Sequence, residues 1–195
     1  MGSDSGTELP DVYDLAFALA SRFEGLGIEY AVGGAIALGH WSSPRGTADV
    51  DVTVYVNPEG LKPVFEVLRA VGGEFDPSLA LRKAKERGHF AIRCKAVRID
   101  VYVPDIPLYD DAKRRRVRVN VQGRAMWVWS AEDILLFKML YFRAKDKIDI
   151  EQLMAVSGRA LDLPYVRRHL LEAFDEQDER WQWWTATLRR HGLKP

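Results

Sequence analysis

One short segment limits the fold of this chain more than any other. A valine stands at every even position from 50 to 56, and Asp49 and Asp51 stand at the first two odd positions. This period of two is typical of a β-strand with one apolar and one polar face. Because residues two apart on a strand point to the same side of a sheet, Asp49 and Asp51 can direct both carboxylates to one spot.

The rest of the chain mixes helical and strand-like patterns. Apolar residues at helical spacing predict helices over 12–23, 35–40, 61–71 and 131–141, and alternating or β-branched runs predict strands over 29–32, 90–94, 97–103, 116–122 and 126–129. Residues 104–111 are expected to form a surface loop, and the C-terminal remainder is expected to be helical with a break near Leu163-Pro164. We therefore expect an α/β (α+β) fold, with a mixed sheet flanked by helices over 1–129 and a helical C-terminal region over 130–195 packed on it.

The strands predicted over 90–94 and 97–103 are expected to pair as a hairpin. A third acidic residue, Asp100, lies in the second of these strands. From a neighbouring strand it can join Asp49 and Asp51. Clustered carboxylates repel one another, so such a group is tolerable mainly when a cation neutralises it. Their hard oxygen ligands suit Mg²⁺ or Mn²⁺. The sequence therefore predicts a divalent metal held by these three residues.

A glycine pair precedes the acidic strand. Gly33 and Gly34 follow a short predicted strand and open a predicted helix. Without a Cβ, they allow backbone N–H groups to approach a phosphate, and a helix N-terminus favours anions. A glycine pair or a D-x-D on a strand is, alone, as compatible with a structural role as with a functional one. Together they indicate a site for a nucleotide and its metal.

These motifs resemble the nucleotidyltransferase superfamily, whose members share the DNA polymerase β-like fold. The superfamily pattern is a hydrophobic residue and G-[GS], a helix, D-h-[DE]-h, and a third acidic residue on a later strand. It stands here as Val32-Gly33-Gly34, Asp49-Val50-Asp51-Val52 and Ile99-Asp100-Val101. Residues 45–48 and 130–153 further resemble the AbiEii-type toxin branch. The resemblance covers about residues 28–153.

The resemblance implies roles for the matched residues. Asp49 and Asp51 would bind two metal ions, and Asp100 would complete the site as a ligand and candidate general base. Gly33 and Gly34 would hold the triphosphate of an NTP. Two metals could stabilise the attacking and leaving oxygens when an acceptor hydroxyl displaces pyrophosphate from the α-phosphate.

The same resemblance implies secondary roles for polar residues elsewhere. Lys138 would contact the phosphates, and Arg143, Asp146 and Asp149 would line the other wall of the cleft. The alternative is a solvated helix face with local ion pairs. Similarly, Arg45 and Thr47 would lie beside the phosphates, or would be a loop residue and a cap residue.

Composition and charge limit the kinds of partner and the covalent cross-links that this chain can have. The 28 Lys and Arg residues balance the 28 Asp and Glu residues, so the net charge indicates neither a nucleic-acid nor a membrane partner. The basic run 113–116 with Arg118 is a candidate RNA-facing edge, although charge runs are usually solvated. Cys94 is the only cysteine, which excludes an intramolecular disulfide.

The sequence also predicts where the protein is located in the cell. No apolar stretch reaches the roughly 20 residues of a membrane span, and Met1–Pro10 has no apolar signal-peptide region, so a cytoplasmic protein is expected.

The histidines show no metal-ligand spacing, and each is expected to be structural: His40, His89, His169 and His191. Three tryptophans near the C-terminus are expected to pack a helix onto the body of the protein or onto a second subunit.

The sequence therefore predicts an NTP-dependent nucleotidyltransferase that uses Mg²⁺ or Mn²⁺. Its predicted acceptor is RNA, such as a tRNA end, in a toxin-like role that a cognate antitoxin would accompany. A second hypothesis keeps the chemistry but replaces RNA by a small molecule such as an antibiotic. A third is a catalytically silent member that binds a nucleotide or a protein, although three mutually repelling carboxylates disfavour it.

Overall fold

The computed structural model describes residues 11–194, so the prediction about a signal peptide in residues 1–10 lies outside it. The described strands form one seven-stranded sheet in the order β3-β4-β5-β2-β1-β7-β6. The strands are β1 Tyr30–Val32, β2 Asp49–Val54, β3 Gly73–Glu74, β4 His89–Cys94, β5 Val97–Tyr102, β6 Val117–Val121 and β7 Arg124–Val128. Strands β2 and β5 are parallel, whereas the pairs β1–β2, β3–β4 and β4–β5 are antiparallel. The mixed α/β sheet expected from the sequence is confirmed.

Nine α-helices accompany the sheet within residues 11–194. They are α1 Val12–Gly25, α2 Gly34–Trp41, α3 Lys62–Ala70, α4 Pro77–Arg87, α5 Leu108–Arg115, α6 Ala131–Tyr141, α7 Ala144–Ser157, α8 Leu163–Ala173 and α9 Glu179–Arg190. In the described part of the chain, no helix is both long enough and apolar enough to cross a membrane. The cytoplasmic location stays a prediction.

The described chain divides into two compact units. Unit 1 comprises the described residues up to Val32 together with Thr47–Asp105 and Arg118–Trp127. Unit 2 comprises Gly33–Gly46, Ile106–Val117 and the described residues from Val128 onwards. The division into a core over 1–129 and a helical region over 130–195 stays a prediction, because compactness does not measure which segments fold independently.

In unit 1, buried and half-buried side chains alternate along β2. Val50, Val52 and Val54 are fully buried, whereas Asp49 and Asp51 are half-buried. Helix α1 packs on β1 and β2 and against α3. Side chains two apart on a strand share a face, so burial of the valines leaves the carboxylates together on the other face.

Unit 2 is organised around α6, which contacts α2, α7 and α8. Ala131–Met139 are all buried, and a helix buried on every side is typical of a domain centre. The Ser130 hydroxyl accepts a hydrogen bond from the backbone N–H of Asp133 and so caps α6. Trp181 and Trp184 of α9 are buried, in keeping with the predicted packing role.

Two helices differ from the sequence expectation. Residues 104–111 were expected to form a loop, but α5 begins at Leu108, because burial of Tyr109 and Ala112, three residues apart, favours a helical turn. Helix α4 had no predicted counterpart. Its signals are an Asp76 side chain that accepts hydrogen bonds from the Ser78 and Leu79 backbone, and Gly88 in the left-handed conformation (φ 62°) at its end.

Candidate functional site

Register places Asp51 and Asp100 beside each other in unit 1. They are Cα partners on the parallel strands β2 and β5, so both side chains leave the same face of the sheet. Asp49 leaves that face two residues earlier, opposite Arg98. The structure thus brings the three acidic residues predicted from the sequence onto one sheet face.

Asp100 is held by two side chains of unit 1. Its Oδ1 accepts a hydrogen bond from Nη2 of Arg98 at 2.7 Å and lies 2.8 Å from Nε2 of His89. Burial by itself would raise the pKa of Asp100, but the hydrogen bonds from His89 and Arg98 outweigh it and hold the pKa below its ordinary value. Asp100 is therefore an ionised carboxylate with both of these contacts on one oxygen.

Asp49 and Asp51 each receive a hydroxyl hydrogen bond. The Thr47 hydroxyl donates to Oδ1 of Asp49, and the Tyr102 hydroxyl donates to Oδ1 of Asp51 at 3.3 Å. Hydrogen bonds of this kind fix the rotamers of the carboxylates. Thr47, expected beside the phosphates or as a cap, orients an acidic side chain in unit 1.

Sequence reasoning missed His89, Arg98 and Tyr102 as companions of the acidic residues. A signal was available, because Arg98, Asp100 and Tyr102 are spaced by two along one strand and must share a face. The tight turn between β4 and β5 pairs Ala91 with Asp100 and His89 with Tyr102. His89 therefore lies on the acidic face, and the expectation of a structural role did not consider this register.

The donor chemistry of Asp49, Asp51 and Asp100 fits Mg²⁺, which prefers carboxylate oxygens. Asp49 and Asp51 are accessible enough to serve as ligands, whereas Asp100 is paired with Arg98. Within residues 11–194, no group of three or more His, Cys, Asp and Glu side chains is gathered closely enough to hold a metal ion. The predicted metal ligands therefore stay a prediction, which requires the carboxylates to draw closer when the ion binds.

The predicted phosphate turn lies at the start of α2 in unit 2. Gly33 is the N-cap residue, and Gly34 adopts the left-handed conformation (φ 54°), which favours glycine. A Cβ on Gly33 would lie 2.9 Å from Cε3 of Trp129, so no larger residue fits without a shift of the indole ring. The indole stacks in turn on Phe137, with ring centroids 4.3 Å apart. The glycines are required by local packing and backbone geometry, and their phosphate-binding role stays a prediction.

Lys138 and Arg45 meet at a buried carboxylate in unit 2. Nζ of Lys138 lies 2.6 Å from Oδ2 of Asp149, and Arg45 binds both oxygens of Asp149 through Nε at 2.9 Å and Nη2 at 3.0 Å. Burial would raise the pKa of Asp149, but hydrogen bonds from Arg45 and Lys138 outweigh it and lower the pKa. Lys138 and Asp149 do not lie on the solvated helix face considered as an alternative, because their side chains are only 11% and 3% exposed.

Asp146 extends this group. It lies 3.6 Å from Nζ of Lys138, and its Oδ2 accepts a hydrogen bond at 2.7 Å from Nε of Arg143. The Asp146 carboxylate also accepts from the backbone N–H of Arg143 and so fixes the start of α7. The structure brings together five of the predicted residues within unit 2: Arg45, Lys138, Arg143, Asp146 and Asp149.

The basic run 113–116 is partly engaged inside unit 2. Arg115 lies 3.2 Å from Glu132 and 3.6 Å from Asp162, and its guanidinium lies 4.1 Å from the ring centroid of Tyr165. Arg114 pairs with Asp111. These contacts favour a structural role for the run over the RNA-facing edge considered from the sequence.

A family model matches residues 31–190, and its description is "Nucleotidyltransferase of unknown function (DUF6036)". The chain belongs to this family. The match includes every residue proposed for metal or nucleotide binding, and the expectation of an NTP-dependent nucleotidyltransferase is confirmed. No curated protein matches the chain.

Solved structures confirm the fold of this DUF6036 member. The solution structure of the antibiotic-resistance factor ANT(2'')-Ia is 14% identical with a TM-score of 0.58, covering 94% of this chain and 98% of that one. The lincomycin-bound lincosamide antibiotic adenylyltransferase LnuA is 18% identical with a TM-score of 0.52, covering 73% of this chain and 96% of that one. ANT(2'')-Ia in complex with adenylyl-2''-tobramycin is 14% identical with a TM-score of 0.50, covering 91% and 97%. At these identities the likeness shows the nucleotidyltransferase fold alone.

Proposed function

We propose that this protein transfers a nucleoside monophosphate from an NTP to an acceptor hydroxyl in a reaction that requires Mg²⁺ or Mn²⁺. The observation that carries the proposal is the register pairing of Asp51 with Asp100, with Asp49 on the same sheet face. Asp100 is already paired with Arg98, and a bound cation would neutralise the two remaining carboxylates, Asp49 and Asp51, during function.

The sheet face with Asp49, Asp51 and Asp100 is assigned the transfer reaction itself. The acceptor oxygen attacks the α-phosphorus, the bond from that phosphorus to the bridging oxygen breaks, and pyrophosphate leaves. The proton of the acceptor hydroxyl passes to a base, for which Asp100 is the candidate. Divalent metal would supply charge neutralisation for the phosphate oxygens. Thr47 and Tyr102 hold the carboxylates of Asp49 and Asp51 in place.

Residues of unit 2 are assigned to the phosphates of the NTP. The helix start at Gly33 and Gly34 supplies backbone N–H groups and the favourable end of a helix dipole. Arg45, Lys138 and Arg143 supply cations, and the buried carboxylates of Asp146 and Asp149 set their positions. Both assignments rest on the chemistry of these groups.

For the acceptor, we infer RNA, with a tRNA end as the first candidate, in a toxin-like role of the AbiEii type. The motif around Arg45 and Thr47 and the segment 130–153 support this branch. A toxin of this kind would act in the cytoplasm and be restrained by a cognate antitoxin. Incubation with each α-labelled NTP, Mg²⁺ and bulk tRNA tests the acceptor: labelled tRNA is expected, and unlabelled tRNA under every NTP would refute it.

A small-molecule acceptor is the second candidate function. The observation that favours it is the fold shared with two antibiotic-modifying proteins, ANT(2'')-Ia and the lincosamide adenylyltransferase LnuA. The same assay with an aminoglycoside and a lincosamide in place of tRNA distinguishes the two. Label on the antibiotic and none on RNA would establish this second function.

A further inference from the structure

Arg98 places a positive charge on the acidic face of unit 1. Its Nη2 lies 2.7 Å from Oδ1 of Asp100, two residues further along β5. On the neighbouring parallel strand β2, the Cα partner of Arg98 is Asp49. The side chain therefore leaves the sheet beside Asp49 and ends on Asp100. A guanidinium already lies next to two of the three carboxylates proposed to hold the metal.

Asp100 requires a positive partner before any metal binds. Its side chain is only 8% exposed, and an ionised carboxylate at that depth is costly unless it is paired. Arg98 and His89 both contact the same oxygen, Oδ1. Of the two, Arg98 carries a permanent charge, because a guanidinium does not lose its proton in proteins. Arg98 is therefore the cation that neutralises Asp100 in the structure.

The ion pair between Arg98 and Asp100 can be broken without burying the cation. The Arg98 side chain is 56% exposed, so a guanidinium that leaves Asp100 is hydrated at once. The ion pair between Lys138 and Asp149 in unit 2 is different, since its two side chains are 11% and 3% exposed. One pair locks both partners inside the protein, whereas the other joins a buried carboxylate to an exposed arginine.

A metal ion and the Arg98 guanidinium compete for the Asp100 carboxylate. A divalent ion bound there would lie next to the guanidinium, and like charges at such short range repel strongly. Within the described residues, no three acidic, histidine or cysteine side chains are gathered for a metal, which agrees with a site whose third carboxylate is already paired. Metal binding to all three carboxylates thus requires Arg98 to leave Asp100.

We propose that Arg98 is a built-in counter-ion that keeps the third carboxylate from binding metal until an NTP is present. The inference rests on the proposed metal-dependent function and adds a control on when the metal binds. A triphosphate brings negative charge that attracts both the metal and the released guanidinium, so the two cations are tolerated together only with NTP. The protein alone should therefore bind divalent metal weakly.

The test measures Mn²⁺ binding without NTP, from the electron paramagnetic resonance signal of the free ion. Arg98→Gln removes the competing charge and should bind Mn²⁺ about tenfold or more tightly than wild type. Arg98→Lys keeps the charge and should stay within about threefold of wild type. Adding Asp100→Asn to Arg98→Gln should abolish the gain, because Arg98 acts through that carboxylate. Thermal unfolding checks that each variant is folded.

Arg93→Gln is the matched control. Arg93 is exposed and is the Cα partner of Arg98 on β4, so it shares the same sheet face. Strand β5 separates it from β2, which carries Asp49 and Asp51. The control removes the same charge from a greater distance and should change Mn²⁺ affinity by less than about threefold.

Three results would overturn the counter-ion role. Weaker Mn²⁺ binding by folded Arg98→Gln would show that Arg98 positions Asp100 for the metal, and unchanged binding would show that the two cations do not compete. An equal gain in Arg93→Gln would make the effect one of overall charge.

The change in Tm with Mg²⁺ and NTP separates this inference from the proposed function. If wild type shows the shift, Asp51→Asn loses it and Arg98→Gln gains no Mn²⁺ affinity, the metal-dependent function stands and the counter-ion role fails. If no variant binds Mn²⁺ and the shift does not depend on Asp51, the proposed function fails and the inference fails with it.

Discussion

Asp51 and Asp100 occupy the same register position on two adjacent parallel strands, so their carboxylates share one sheet face. Arg98 and His89 already hold Asp100 on that face. The arrangement keeps one carboxylate neutralised by protein groups and leaves the half-buried Asp49 and Asp51 for a cation. This relationship underlies the metal-dependent account.

Ligand binding should therefore stabilise the protein only when these carboxylates are intact. Mg²⁺ together with an NTP is expected to raise the Tm of wild type, because a ligand that binds the native state shifts unfolding by mass action. The shift should vanish in Asp51→Asn and return to zero in wild type when a chelator removes the metal. Differential scanning fluorimetry measures it, and an equal shift in Asp51→Asn would contradict the assignment.

The contact between Gly33 and Trp129 makes a prediction about packing. Gly33→Ala would push a methyl group into the indole at 2.9 Å and should cost about 1–3 kcal/mol of unfolding free energy. The double variant Gly33→Ala/Trp129→Phe should show a favourable coupling, since the smaller ring makes room. Urea unfolding of both single variants and of the double variant gives the cycle. Strict additivity would show that the indole does not restrict Gly33.

Removal of Lys138 should be strongly destabilising. Lys138→Met would leave Asp149 and Asp146 buried with one cation fewer, and breaking a buried ion pair typically costs about 3–5 kcal/mol. Because Asp149 then keeps only Arg45 as a cationic partner, adding Asp149→Asn should recover part of this loss. Lys145→Met, an exposed residue of α7, is the matched control. A loss no larger than that of the control would mean that Lys138 is not a structural member of the network.

Two buried aspartates of unit 2 should respond to pH with opposite sign. The pKa of Asp149 is lowered by Arg45 and Lys138 against burial, so its stabilisation is present above the unfolded pKa of about 3.9 and is lost as pH falls through the folded pKa. The pKa of Asp133 is raised, chiefly by burial, so its contribution is present below about 3.9 and is lost as pH rises through the folded pKa.

Asparagine variants measure these contributions. Relative to wild type, Asp149→Asn should be more destabilising at about pH 7 than at about pH 3.5, and Asp133→Asn less destabilising at the higher pH. Chemical unfolding at the two pH values gives the four differences in free energy. The same sign of pH dependence for both variants would refute this assignment of charges.

Local patterns predicted much of the fold. The alternation of β2 and the β4–β5 hairpin depend on residues close in sequence, and the structure places α6 at the predicted bounds. Helices α4 and α5 were missed because their apolar faces are narrow and their charged residues numerous. The Asp76-Pro77 start and the terminal Gly88 of α4 were readable signals.

The site was less predictable where long-range contacts decide it. The motif identified Asp49, Asp51 and Asp100, but only register shows that His89 and Arg98 hold Asp100. Likewise, spacing on a helix does not reveal that Lys138 reaches Asp149, or that Arg45, over 100 positions earlier, binds the same carboxylate. Tertiary packing determines these pairs.

The most direct test of the central claim is a single-turnover transfer assay with labelled NTP, Mg²⁺ and tRNA for wild type and Asp51→Asn. Asp110→Asn, the same change at an exposed position of α5, is the control. We expect wild type and the control to release pyrophosphate and label the acceptor, and Asp51→Asn to be slower by about a hundredfold or more, consistent with loss of charge stabilisation in the transition state. Equal transfer by folded Asp51→Asn would contradict the account, because the carboxylates of this sheet face would then carry no part of the chemistry.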